Sequence, residues 1–315
     1  MENKNIKLVD GRVTKLCNIK AKPIPRNKTW FPDLDELYGR SDMPQGDELE
    51  FNNLGMPRGK ISLWAGESGV GKSRLCIEVA KQFSIGYRNG TVLYIQTESP
   101  LEDFASWAKD TSKYNNIYCS GVETQKDIID VIYNIKPKLI FIDSVNEVVD
   151  FIGNAKSSSR LIKGDDTVGG LKQAVYDVGA HLILLGQLNG DGKTIKGGTS
   201  LPHLVDIALS ITWLDKPKGY FKVEVGVKHR YGSRKHVAYF QHTNDGVIAC
   251  HKPIDYMAGE FVTLKEGDSE YIVLADDPKK DGFNAAEILP GTDQTFPKFF
   301  LDAPLGSDVP TQLPQ

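Results

Sequence analysis

From Lys60 onward the chain alternates short, wholly apolar runs with longer stretches whose apolar residues recur at helical spacing. The runs are "KISLWAG", "TVLYIQTE", "NIYCSG", "KLIFIDSV", "HLILLGQL" and "DIALSITWL", most of them ending in Gly, Ser or an acid. Between them lie "KSRLCIEVAKQFSIGY", "LEDFASWAKD", "TQKDIIDVIYNI" and "GGLKQAVYDVG". A strand buried on one face alternates apolar and polar residues; a continuous apolar strand is buried on both. The pattern therefore predicts an α/β fold, a mostly parallel twisted sheet flanked by helices. Two later strands, "FKVEVGVKHR" and "HVAYFQHT", followed by the turn "NDG" and by "VIAC", predict antiparallel strands at one edge.

Charge divides the 315 residues further. Residues 1–28 hold eight Lys/Arg against two acids, Glu2 and Asp10, whereas residues 255–315 hold twelve Asp/Glu against four Lys. The formal net charge of −3 thus hides a body that is net positive once the tail is set aside. Three parts are expected: a basic arm over 1–28, a core over 29–254, and an acidic, Pro-rich tail over 255–315. The tail is expected to be partly disordered and to dock through "FPKFFL" at most. A basic body with an acidic extension suits a protein that meets a polyanion.

No apolar run reaches the roughly eighteen residues of a membrane helix, and the start "MENKNIKLVDGRVTK" lacks a signal-peptide core, so a cytoplasmic protein without membrane contact is expected. Cys17, Cys76, Cys119 and Cys250 are scattered and form no CxxC pair, which argues against a zinc site or a disulfide framework.

The chemistry begins at "GESGVGKS", Gly66 to Ser73, a full match to G-x-x-x-x-G-K-[ST] between a strand and a helix. Gly66, Glu67, Ser68, Gly69, Val70 and Gly71 would turn backbone N–H groups toward phosphate oxygens, at the positive end of the helix that begins with Lys72, Ser73 and Arg74. ATP and Mg²⁺ are the expected ligands: Lys72 would reach the β/γ-phosphates, and Ser73 would hold the metal with Asp143, the acid ending "KLIFIDSV". Glu98, ending "VLYIQTE", is placed to orient a water and accept its proton. Gln187, at the end of "HLILLGQL", could feel the γ-phosphate and report to the loop after it.

Two segments rich in small and basic residues, "IGNAKSSSRLIKGDDTVGG" and "NGDGKTIKGGTS", read as loops that pack no core and project from the C-terminal edge of the sheet. Lys156, Arg160, Lys163, Lys193 and Lys196 are the candidate contacts to a single-stranded DNA backbone. The densest cationic stretch is "VKHRYGSRKH", Val227 to His236, with four Lys/Arg and two His in ten residues. Its spacing alone supports a cationic hairpin and no more.

Taken together, "GMPRGKISLWAGESGVGKS", "VLYIQTES" and "PKLIFIDSVNEV" resemble the ATPase core of the RadA/Sms DNA-repair family within the RecA-like superfamily. Lys228-His229-Arg230-Tyr231-Gly232 resembles that family's Lys-Asn-Arg-Phe-Gly signature, with His for Asn and Tyr for Phe. The likeness covers roughly residues 29–250; the family's four-cysteine zinc element and Lon-protease-like domain have no counterpart in it. It implies a RecA-like P-loop core working as a DNA-dependent ATPase in recombination or repair. It also implies a ring-shaped homo-oligomer, a hexamer foremost, in which Lys228 and Arg230 act on a neighbour's nucleotide as catalytic residues beside Lys72, Glu98 and Gln187. Arg234 and Lys235 would be solvated or near DNA. A short core of this kind suits a bacterial protein or a phage-type relative. Two other readings stay open: a DnaB-type replicative helicase or its loader, and a KaiC-like, nucleotide-switched protein whose acidic tail recruits a partner.

Overall fold

The structure is a computed structural model, and it describes residues 24–39, 54–87, 90–149, 155–188, 200–232, 235–252, 261–266, 269–274 and 284–288. It separates into two units, one up to His251 and one from Lys252 onward.

The first unit is built on a nine-stranded sheet. Its strands are β3 (Lys60–Gly66), β4 (Val92–Gln96), β5 (Ile117–Ser120), β6 (Leu139–Asp143), β7 (His181–Gln187), β8 (Ile207–Asp215), β9 (Tyr220–His229), β10 (Val237–Thr243) and β11 (Gly246–Cys250). They lie in the order β11-β10-β9-β8-β3-β7-β6-β4-β5. Every pairing from β8 through β3, β7, β6 and β4 to β5 is parallel. The pairings of β8 with β9, β9 with β10 and β10 with β11 are antiparallel. The mostly parallel sheet with an antiparallel edge is the architecture expected from the apolar runs, and β3 coincides with "KISLWAG".

Helices cover both faces of the central parallel strands, and this is why those strands are largely apolar. The helices are α1 (Pro32–Tyr38), α2 (Lys72–Gly86), α3 (Leu101–Ala108), α4 (Gln125–Ile135), α5 (Ala155–Lys163), α6 (Leu171–Val178) and α7 (Leu201–Leu204). One core gathers Leu34, Leu37, Leu75, Val79 and Phe83 from α1 and α2 beneath Trp64, Tyr94, Phe141 and Phe221. The other gathers Ile128, Ile132, Leu161, Leu171 and Val175 from α4, α5 and α6 beneath Leu63, Leu93, Ile140 and Leu182. Neighbouring residues of one strand feed opposite cores, Leu63 one and Trp64 the other, as the pleat requires.

One expectation is corrected. The segment after β6 is not all loop: residues 155–163 form α5, with Ser157, Ser158, Leu161 and Ile162 buried. Four buried positions spaced one and four apart make a helical stripe, and serines are small enough to let α5 settle on its neighbours. Near the end of the basic arm, Arg26–Asn27 form β1 and pair with β2, Met56–Pro57. In the second unit, β12 (Phe261–Glu266), β13 (Ser269–Leu274) and β14 (Asn284–Ile288) form an antiparallel sheet of their own. "FPKFFL" lies outside the described residues.

Candidate functional site

The C-terminal ends of β3, β4, β6 and β7 meet at a cavity of about 710 Å³, of the size that holds a small ligand. Ser68, Gly69, Gly71, Lys72, Ser73 and Arg74 form one wall, and Glu98, Asp143 and Gln187 line it from the neighbouring strands. The turn between β3 and α2 is tight. Gly69 and Gly71 have φ of 77° and 92°, a left-handed conformation that favours glycine. Lys72 is buried and donates from Nζ to the carbonyls of Gly66 at 3.0 Å and Glu67 at 2.9 Å. Burial pulls its pKa below the usual lysine range.

Asp143 ends β6 almost fully buried, and Tyr94 donates its hydroxyl to Oδ2 at 2.8 Å. The Ser73 side chain hydrogen-bonds to the same carboxylate. Burial raises the Asp143 pKa, and these two hydrogen bonds act against that rise. A hydroxyl and a carboxylate meeting at the mouth of a phosphate cradle are oxygen donors of the hard type that suits Mg²⁺. Among the described residues no group of three or more His, Cys, Asp or Glu side chains gathers as a metal cluster, so a cation here would need phosphate and water to complete its shell.

Glu98 and Gln187, unrelated in sequence, are joined: Gln187 Nε2 donates to Glu98 Oε1 at 3.0 Å. Asn146 Oδ1 in turn accepts from the Gln187 backbone N–H at 3.2 Å. The predicted water-orienting acid and the predicted reporter therefore form one unit across β4, β6 and β7.

Sequence reading missed the other half of the cavity. Trp107, Trp213, Lys216, Lys218, His242 and Asn244 also line it. Trp213 and His242 come from the ends of β8 and β10, and Lys216, Lys218 and Asn244 from the β8–β9 and β10–β11 turns that follow, which the sheet returns to the same edge as the phosphate loop. "DKPKG", a basic turn signal between two strands, was the available clue, but nothing local says which edge it reaches. His242 is the closest to the loop. Its Nε2 donates to the Val70 carbonyl at 3.2 Å, and its ring packs 5.0 Å from Phe221 and 5.5 Å from Trp213. Burial lowers its pKa, so the neutral donor tautomer is favoured.

The cationic turn after β9 sits elsewhere. His229 pairs with Ile207, which pairs with Ser62 near the start of β3. Tyr231 lies under Lys60, whose Nζ is 5.5 Å from its ring centre. From Lys60 to Gly66 the strand runs roughly 20 Å. Lys228 and Arg230 are thus at the opposite edge of the sheet from their own phosphate loop. Within the chain Lys228 donates to the carbonyls of His203 at 2.7 Å and Val205 at 2.5 Å, and Arg230 pairs with buried Asp206 at 3.5 Å.

On α5, Lys156, Arg160 and Lys163 recur at i, i+4 and i+7 and share one side of the helix, next to its buried stripe. Lys156 and Lys163 are exposed, while Arg160 is half-exposed and paired with Asp165 at 2.6 Å. Lys193, Lys196 and Arg234 lie outside the described residues.

Comparison with known proteins agrees with this geometry. Residues 53–193, which contain the phosphate loop and the strands bearing Glu98, Asp143 and Gln187, match a family model described as an AAA domain. DNA repair protein RadA of Streptococcus pyogenes serotype M1 is 26% identical over 282 residues, covering 87% of this chain and 58% of the relative. RadA of Mycolicibacterium smegmatis is 29% identical over 204 residues, 63% of this chain and 42% of the relative. RadA of Mycobacterium tuberculosis H37Rv is 28% identical over 239 residues, 73% and 44% respectively. The chain therefore spans between 42% and 58% of the length of these curated relatives. In fold, phosphate loop and sequence the chain is thus similar over much of its length to a RadA-like ATPase core of RecA type.

Proposed function

We propose that the protein hydrolyses ATP in response to single-stranded DNA, as an oligomer in which each subunit completes its neighbour's site. The observation that carries the catalytic half is the Glu98–Gln187 pair facing Lys72, Ser73 and Asp143 across one cavity. A water held by Glu98 attacks the γ-phosphorus in line, Glu98 takes its proton, the bond to the bridging oxygen breaks, and ADP and phosphate separate. Lys72 leaves its two carbonyls for phosphate oxygens, which offer a full negative charge in place of dipoles. Ser73 and Asp143 would hold Mg²⁺, which supplies charge neutralisation on the phosphates. Gln187, bonded to Glu98, passes the loss of the γ-phosphate to the loop that follows β7.

Lys228 and Arg230 cannot serve their own nucleotide from the far edge of the sheet, which supports the reading that they serve a neighbour's, as an arginine finger does in trans. For DNA, support comes from the side of α5 bearing Lys156, Arg160 and Lys163, and from the likeness to proteins named for DNA repair. The acidic residues beyond 255 offer a surface for a protein partner, or a competitor for the same lysines.

The test is steady-state ATP hydrolysis with and without single-stranded DNA at two salt concentrations, with Lys72→Ala as the blank. Stimulation that weakens as salt rises is expected, because phosphate contacts release counterions. Turnover indifferent to DNA, and unchanged in Lys156→Ala/Lys163→Ala, would overturn the DNA half and favour a nucleotide-driven switch.

A further inference from the structure

The cationic turn is held by a residue some two hundred positions away. Arg26 is 4% exposed. Its NH1 donates to the carbonyls of Tyr38 at 3.0 Å and Gly55 at 2.9 Å, and its NH2 donates to the carbonyl of Tyr231 at 3.0 Å. One planar guanidinium thus ties together the end of α1, the approach to β2 and the turn that carries Arg230. The rest of the turn fits against the same place. A Cβ on Gly232 would fall 2.6 Å from the Tyr38 carbonyl and 2.7 Å from that of Leu37, and one on Gly39 would fall 2.5 Å from Gly232 Cα. Tyr231 N–H donates to His229 Nδ1 at 3.1 Å, which folds the turn back on the strand. The two residues flanking Tyr231 are therefore positioned from both sides, Arg230 by Asp206 and Gly232 by the end of α1.

We propose that Arg26 is the positioning residue for the Lys228–Gly232 turn, setting where Arg230 is presented to a neighbouring subunit. A guanidinium suits this task better than an ammonium. Its fixed fork addresses three carbonyls in defined directions and stays charged when buried. The close backbone approach of Gly232 to the end of α1 seats one side of the turn, and the fork sets the direction of the Tyr231 carbonyl beside it. This inference rests on the reading that Arg230 acts in trans.

Mixed oligomers of the full chain test it. A donor chain carrying Glu98→Gln binds nucleotide, cannot hydrolyse it and keeps its finger. An acceptor carrying Arg230→Ala keeps its own phosphate loop and Glu98. Mixing the two should restore ATP hydrolysis well above the sum of the separate chains, and no restoration would sink the trans reading itself. Adding Arg26→Ala to the donor should lower the restored rate about 10²-fold, the cost of misplacing a reacting group by about 1 Å. Adding Arg26→Ala to the acceptor should leave restoration intact, because there the finger is already gone. Full restoration by the Arg26→Ala donor would overturn the inference while the trans reading stood. So would an acceptor that loses nucleotide binding with both Arg26→Ala and Arg26→Lys, since Arg26 would then be holding the fold and not the turn.

Discussion

Gln187 and Glu98 are 89 positions apart in the chain and 3.0 Å apart in the fold, amide nitrogen to carboxylate oxygen. The contact exists because β4 and β7 flank β6 and run parallel to it, so their C-terminal ends open on the same cavity. A neutral amide holding the acid leaves its charge intact while fixing its direction. Glu98→Gln should therefore retain nucleotide binding and lose about 10²–10⁴ in turnover, the range for a general base. Gln187→Ala should bind nucleotide and lose DNA stimulation more than basal rate; equal losses in both would show that Gln187 only orients Glu98.

Lys72 is stabilised in the free chain by two carbonyls and penalised by burial. Lys72→Ala should consequently leave the melting temperature near that of the parent, while hydrolysis falls at least about 10²-fold for want of a preorganised charge. Thermal melting with and without ATP checks both halves: the parent should gain stability from ATP by mass action and the variant should not.

Gly71 has no room for a side chain. A Cβ there would sit 2.1 Å from His242 Cε1, and φ of 92° is itself unfavourable for an L-residue. Gly71→Ala should cost about 1–2 kcal/mol from the backbone alone, plus a steric part contributed by the ring. In a double-mutant cycle with His242→Ala the steric part should vanish and the backbone part remain. Additive losses measured by urea unfolding would mean the ring moves aside freely.

His181 gives the fold an acid limit. It is fully buried, its Nδ1 donates to the Pro57 carbonyl at 2.8 Å, and its Nε2 therefore accepts from the Ser62 hydroxyl at 2.8 Å. Desolvation lowers its pKa from 6.5 to about 4. A group depressed in the folded state contributes stability that is complete above the unfolded pKa and is lost as pH falls through the folded one. His181 should thus cost progressively between pH 6.5 and about 4, to a total of about 3 kcal/mol. Urea midpoints measured across that window should fall for the parent and fall less for His181→Asn.

Much of this architecture was legible before any coordinates. Apolar runs bounded by Gly and acids located β3 to β8, because a strand buried on both faces has no use for alternation. The G-x-x-x-x-G-K-[ST] spacing located the phosphate loop, because backbone cradle, lysine and hydroxyl come from eight consecutive residues. The acids Asp143 and Glu98 followed from their place at strand ends.

What failed was whatever depended on distant segments meeting. The serines of α5 read as loop residues, since small polar side chains show no apolar stripe until a neighbouring helix buries them. His242 and the lysines of the β8–β9 turn joined the cavity beside the phosphate loop, and Lys228 with Arg230 came to the opposite edge of the sheet, for one shared reason. Antiparallel strands send alternate turns to opposite edges of a sheet, and their pairing partner is chosen by packing across the whole domain. Arg26 looked like part of a charged arm; enclosure by three carbonyls from separate segments made it the clamp of the cationic turn. Local chemistry is written in consecutive residues, but the direction in which it points is a property of the assembled sheet.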